Sequence, residues 1–177
     1  MKILRVIFWF SIILFVAGVF LPQHYIVSRS ITINGSSAQI HQLTNDLEQW
    51  PLWSPWVELD PALKVTRGPI NQGVGASQSW SDENGGGKLT FIASSPDQSI
   101  TYNIWFGDSE MPSIANMTYT TLNATQTKVN WNIEGEMQIP VIGFYIALLM
   151  DTFVGPAFEL GLENIKTQVE KDSQPTG

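Results

Sequence analysis

Lys128-Val-Asn-Trp-Asn-Ile-Glu-Gly-Glu-Met137 alternates strictly: Val129, Trp131 and Ile133 fall on one side, Lys128, Asn130, Asn132, Glu134 and Glu136 on the other. A period of two with one apolar side describes a β-strand with one face on a core and one in water. From Gly143 the period changes. Ile142, Ile146, Leu149 and Phe153 recur at helical spacing, and Phe158, Leu162, Ile165 and Val169 repeat it, with Glu159, Glu163, Lys166 and Glu170 opposite. The chain therefore closes with a half-buried strand and a long amphipathic helix. Gly155-Pro156 lies between the two apolar stripes and predicts a kink or a division there.

Upstream, three segments alternate in the same way. They are Ala115 to Leu122, Ser99 to Phe106 (Ile100, Tyr102, Ile104 and Phe106 on one side) and Lys88 to Ala93 (Leu89 and Phe91). Asp82-Glu-Asn-Gly-Gly-Gly87 predicts the hairpin turn before Lys88. Val74, Ala76, Gln78 and Trp80 make another strand, Leu63 to Arg67 a short one, and Tyr25 to Asn34 the first. After that first strand, Ser36 or Ser37 caps a helix whose Ile40, Leu43 and Leu47 share a face and which must stop before Pro51. Trp50-Pro-Leu-Trp-Ser-Pro-Trp56 reads as a rigid aromatic connection, its two prolines excluding regular helix or sheet. Strand, helix, a run of antiparallel strands and a long final helix is an α+β order, with the helices on one face of the sheet.

The 177 residues suffice for one domain. Apolar residues make up 44% and aromatics 11%, which excludes a disordered chain. There is no cysteine, so a disulfide scaffold, a thiolate nucleophile and a thiolate metal site are excluded. The apolar run from Val6 to Leu21, closed by Pro22, predicts a transmembrane anchor over residues 1–22. A cleaved signal peptide is the competing expectation, with Val16-Ala17-Gly18 its one candidate cleavage site. Lys2 and Arg5 precede the run, so the N-terminus is expected in the cytosol and the domain on the outer, periplasmic or extracellular, side. Residues 23–170 form that domain, and 171–177 read as a disordered tail. Without the anchor the chain holds 7 basic and 16 acidic residues, a net of −9. Such a surface offers no stripe for nucleic acid and is repelled by an anionic bilayer, which leaves the apolar segment as the membrane attachment.

This order of elements resembles the SRPBCC superfamily, the START/Bet v 1-like helix-grip fold, in its polyketide cyclase/dehydrase-like branch. The residues that carry the likeness are Trp50-Pro51, Trp53-Ser54-Pro55-Trp56 and Asp60-Pro61, then Gly73-Val74-Gly75-Ala76. Thr127-Lys128-Val129-Asn130-Trp131 with Gly135 follow, and after them Asp151, Val154-Gly155-Pro156, Phe158-Glu159 and Gly161-Leu162 to Lys166. The resemblance covers residues 24–170. It implies a curved sheet gripping the terminal helix, with an apolar cavity between them for a lipid or other hydrophobic small molecule. A minority of such proteins are enzymes.

The residues favour a binding protein over a catalyst. His24 lies beside the membrane segment, and His41, the other histidine, reads as a surface residue of the first helix, with nothing around it at the spacing of a metal site or a triad. No cofactor is expected. Glu134 and Glu136 continue a solvated strand face, and Gly85 to Gly87 join strand to strand rather than cradle a phosphate. Asp151 lies in an apolar stretch, where a half-buried carboxyl would titrate high and act as an acid. It and the Tyr102 hydroxyl are the candidates for a cyclase- or dehydratase-like reaction. The ligand-cavity candidates are Gln78, Trp80, Phe91, Tyr102, Ile104, Trp131, Ile146, Leu149 and Phe153. A third reading is an interaction module whose interior is filled by its own side chains.

Overall fold

The computed structural model describes residues 2–82 and 85–172. Helix α1 (Lys2–Phe20) precedes β1 (His24–Ile33), α2 (Ser37–Thr44), a 3-10 turn (Trp50–Leu52) and α3 (Pro55–Leu59). Strands β2 (Lys64–Arg67), β3 (Ser77–Asp82), β4 (Gly85–Ser95), β5 (Ser99–Phe106), β6 (Ser113–Asn123) and β7 (Gln126–Glu136) follow, and α4 (Gly143–Asp172) ends the fold. All seven strands form one antiparallel sheet in the order β1-β7-β6-β5-β4-β3-β2, so the first strand returns to pair with the last. A bulge between Phe91 and Ala93 turns Ile92 outward and adds to the bend of β4. The sheet grips α4 on its inner face: the fold is α+β helix-grip.

Several segments differ from what the sequence predicts. Helix α2 is closed by a Ser36–Gln39 capping box but ends at Thr44, with Asn45 as its cap. Leu47 is therefore off the helix; its side chain is nevertheless buried in the core, and its N–H donates to the Asn71 carbonyl at 2.8 Å. The prolines of the Trp50–Trp56 segment permit two short helical pieces because each stands in a first turn, where the missing N–H costs nothing. The stretch from Gly73 to Ala76 is a turn, since Gly73 (φ 73°) and Gly75 (φ 89°) take left-handed backbone, and Val74 is exposed. Gly85 to Gly87 open β4, while Glu83 and Asn84 of the expected turn lie outside the described residues. Helix α4 runs undivided through Pro156 and on past residue 170 to Asp172. Of the expected tail, 173–177 lie outside the described residues.

Helix α4 lies along β1, and one arginine fastens the two. The Arg29 guanidinium donates to both Asp151 oxygens, at 2.7 and 3.0 Å, and its Nε donates to Glu159 at 2.6 Å. Asp151, Gly155 and Glu159 are spaced four apart, so they line one face of the helix. A Cβ on Gly155 would run into the guanidinium, so glycine there lets Arg29 lie flat across the helix. Behind this clamp, Trp131 of β7 stacks on Phe158 with ring centroids 4.0 Å apart, and Trp53 meets Trp131 edge-on at 5.6 Å. Trp50 and Trp53 in turn donate their indole N–H groups to the Thr44 and Leu43 carbonyls. The aromatic segment thus ties α2 to α4 through the core.

Among the described residues, α1 and α4 are long and apolar enough to cross a membrane, although much of α4 belongs to the core. Helix α1 meets the start of α4: the Tyr145 hydroxyl donates to the Leu14 carbonyl at 2.6 Å, and Gly18 packs under Val141.

Candidate functional site

Between the sheet and α4 lies a cavity of about 1120 Å³. Its walls are Leu89, Ile104, Trp131 and Ile133 from the sheet and Met150, Val154 and Phe158 from α4, with Trp50 and Trp56 across one end. Apolar walls of this extent suit a lipid-sized molecule. The mouth is built from Leu59 and Asp60 at the end of α3, Asp108 to Met111 between β5 and β6, and Glu136 to Ile139 before α4. Asp60, Asp108, Glu110 and Glu136 make that rim acidic, with Arg67 the one cation on the wall among the described residues.

Polar groups inside are few and specific. The Trp131 indole N–H donates to the Tyr102 hydroxyl at 3.0 Å, and Tyr102 is only 3% exposed. Burial pushes the Tyr102 phenol above its ordinary value, so it stays neutral. Further along the same sheet the Tyr25 and Ser113 hydroxyls share a hydrogen bond of 2.6 Å, and burial also raises the Tyr25 phenol. Gly135, opposite Tyr25 in the ladder, leaves room for that pair: a Cβ there would come within 2.9 Å of the Tyr25 oxygen and closer still to Ser113.

Of the ligand-cavity candidates, Gln78, Trp80, Tyr102, Ile104, Trp131 and Phe153 line this space, Phe153 at its open side with 66% exposure. Phe91 does not. It is buried behind Tyr102, against Trp50. Ile146 and Leu149 are also off the wall, because α4 turns Ala147, Met150 and Val154 inward instead. Helix α4 is apolar nearly all round over its first three turns, so spacing alone does not select its buried face. Tyr25 and Ser113 escape the sequence reading for different reasons. Tyr25 opens an alternating strand in which nothing local marks its hydroxyl as inward, and Ser113 precedes the alternation that starts at Ala115, yet it keeps phase with Ala115, Met117 and Tyr119.

Asp151 is not a cavity acid. Its side chain is 59% exposed on the outer face of α4, and hydrogen bonding to Arg29 holds its carboxyl below the ordinary value. The expected upward shift fails because the partner that charges it comes from β1, far away in sequence. His41 is not a surface residue either. It is 6% exposed, with Tyr119 edge-on at 5.9 Å, and burial lowers its pKa. Ser94 donates to Asn45 and so accepts from His41 Nε2 at 3.3 Å, which leaves buried Nδ1 without a partner. No group of three or more metal-ligating side chains occurs among the described residues.

Comparisons with known proteins follow the same lines. Solved structures share the fold at low sequence identity. KanY matches with a TM-score of 0.62 at 17% identity, over 83% of this chain and 98% of its own. Norcoclaurine synthase from Thalictrum flavum, in complex with dopamine and hydroxybenzaldehyde, matches with a TM-score of 0.60 at 13% identity, over 88% and 94%. The Aha1 dimer from Colwellia psychrerythraea matches at 0.58 and 14%, over 84% and 98%. No curated protein matches the sequence. The family described as polyketide cyclase / dehydrase and lipid transport matches residues 24–170, the whole sheet and nearly all of α4, and the chain belongs to that family.

Proposed function

We propose that the chain is a membrane-anchored binding protein for a hydrophobic small molecule or lipid. The observation that carries this reading is the apolar cavity of about 1120 Å³ between sheet and α4, open at one end. Burial of the ligand against Leu89, Trp131, Met150, Val154 and Phe158 supplies the affinity, and the few hydroxyls fix its orientation. Catalysis through Asp151 has no support, because that carboxylate faces away from the cavity in an ion pair. The test is native mass spectrometry of purified residues 23–177: a co-purified apolar molecule supports binding, and an empty protein that also refuses apolar fluorescent probes refutes it.

The anchor is part of the same proposal. Nineteen helical residues of α1 reach about 28 Å, close to the thickness of a hydrocarbon core. Ile142, Leu148 and Leu149, exposed beside α1 at the start of α4, extend the same apolar surface. With Lys2 and Arg5 at its leading end, α1 would hold its N-terminus in the cytosol and the domain outside. Full-length protein should then stay in the membrane pellet through a carbonate wash, and protease added to spheroplasts should digest the domain. A soluble fragment starting near Val19 would refute the anchor.

A further inference from the structure

The buried hydroxyls of the cavity are donors, and this fixes a property of whatever binds there. An indole N–H can only donate, so in the Trp131–Tyr102 bond the Tyr102 oxygen is the acceptor. The phenol's own proton remains. No acceptor for it exists among the described residues, although the side chain is 97% enclosed and on the cavity wall. The same arithmetic applies to Tyr25 and Ser113: two hydroxyls share one hydrogen bond, which leaves one proton over. Water entering the open cavity can accept these protons, so a ligand that displaces it must bring an acceptor of its own or leave a buried donor unpaired at a cost. Both phenols are kept neutral by burial.

The charges around the cavity narrow the partner further. Among the described residues, Arg67 is the one cation on the wall; it is exposed, and its Nε is held by the Leu47 carbonyl at 3.2 Å. Asp60, Asp108, Glu110 and Glu136 stand at the mouth. An anionic headgroup or free carboxylate entering this way meets four carboxylates at the mouth and, on the wall, the single exposed cation of Arg67, so the charge balance along its path is unfavourable.

Resting on the binding reading above, we infer that the ligand is an uncharged, largely apolar molecule carrying a hydrogen-bond-accepting oxygen, a ketone, ester, ether or alcohol, seated against the Tyr102 hydroxyl. The Tyr25–Ser113 pair supplies a second donor for a second oxygen. By strand spacing and rise, Ser113 lies about 8 Å from Tyr102 along the sheet, one strand over and two residues along, which is within the span of one lipid-like molecule.

Decane, decan-2-one and decanoate separate the possibilities. Each is titrated against full-length protein in lipid nanodiscs loaded with the neutral apolar probe N-phenyl-1-naphthylamine, with empty nanodiscs as blanks. Variant-to-wild-type ratios cancel partition into the lipid. Tyr102→Phe should weaken decan-2-one at least fivefold and decane less than twofold, and decanoate should compete no better than the ketone. A Tyr102→Phe effect equal for ketone and alkane, or absent for both, overturns the inference, as does decanoate binding tenfold tighter than the ketone. If Tyr102→Phe does not fold, the infrared carbonyl band of decan-2-one bound to wild-type protein decides. A shift to lower frequency relative to empty nanodiscs supports the donor, and an unshifted band overturns it. Failure of this inference leaves probe uptake intact, whereas failure of the binding reading abolishes uptake by the probe and all three competitors and removes the inference with it.

Discussion

Trp131→Ala probes the joint between sheet, helix and cavity at a single residue. Trp131 is 1% exposed, stacked on Phe158 at 4.0 Å, met edge-on by Trp53, and bonded through its indole N–H to Tyr102. Burial of about 200 Å² of aromatic surface at about 25 cal/mol per Å² is worth about 5 kcal/mol. Part of the ring already faces the cavity rather than packed atoms, which lowers that figure, while loss of the stacked pair and the hydrogen bond raises it. The expected cost is about 3–5 kcal/mol, the usual range for a large aromatic cut to alanine. Trp131→Phe keeps a ring on Phe158 and loses the hydrogen bond, and should cost about 1–2 kcal/mol. Urea denaturation of residues 23–177, followed by far-ultraviolet circular dichroism, measures both. An unchanged slope with a shifted midpoint would assign the loss to the native state. A loss below about 1 kcal/mol for Trp131→Ala would falsify the central place given to this residue.

Four further outcomes rest on the same geometry. Val154→Trp should fill the cavity from α4 and cut uptake of an apolar probe tenfold or more, and uptake within twofold of wild type would mean the ligand sits elsewhere. Asp151→Asn should leave probe uptake unchanged, since the carboxylate faces Arg29. Gly155→Ala should push the guanidinium aside and let the Asp151 carboxyl titrate closer to its ordinary value, which an NMR titration reads directly. His41 is lowered by burial, so on acidification the unfolded chain takes up its proton first. Its contribution to stability is complete above about pH 6.5, the unfolded value, and is lost as pH falls through the lower folded value. The slope of stability below about pH 6.5 should flatten in His41→Gln, and an unchanged slope would place its origin in other groups.

Where side chains alternate, the sequence makes the architecture plain, because one wetted face imposes a period that no other structure shares. Strand β7 and the row Leu89, Phe91, Ile100, Tyr102 and Ile104 are read correctly for that reason. Periodicity fails where its premise fails. Leu47 is in phase with α2, yet Asn45 has already ended the helix. The opening turns of α4 carry apolar residues on every side, so the choice between the Leu149 face and the Met150 face is made only when the sheet arrives. Charge partners are less legible still. Arg29 and Asp151 lie at opposite ends of the chain, and the burial of His41 depends on Tyr119 and Ser94 from two strands. Site chemistry written across distant elements leaves no local trace in spacing.

The parallel course of β1 and α4 has a mechanical consequence. Both start at one end of the fold, where the Met137 N–H donates to the Gln23 carbonyl, and both reach the other, where Glu170 accepts from the Asn34 backbone and side chain. Tension applied at residue 23 against the far end of α4 is therefore directed along the strand. The ladder bonds between β1 and β7 lie across that direction, so their ten register pairs, from His24–Glu136 to Ile33–Thr127, bear the load together in shear instead of opening one after another. Arg29 adds a cross-pin midway along the same line. A domain tugged by its leading segment would slip as a block at high force, and the cavity behind it would keep its shape until it did.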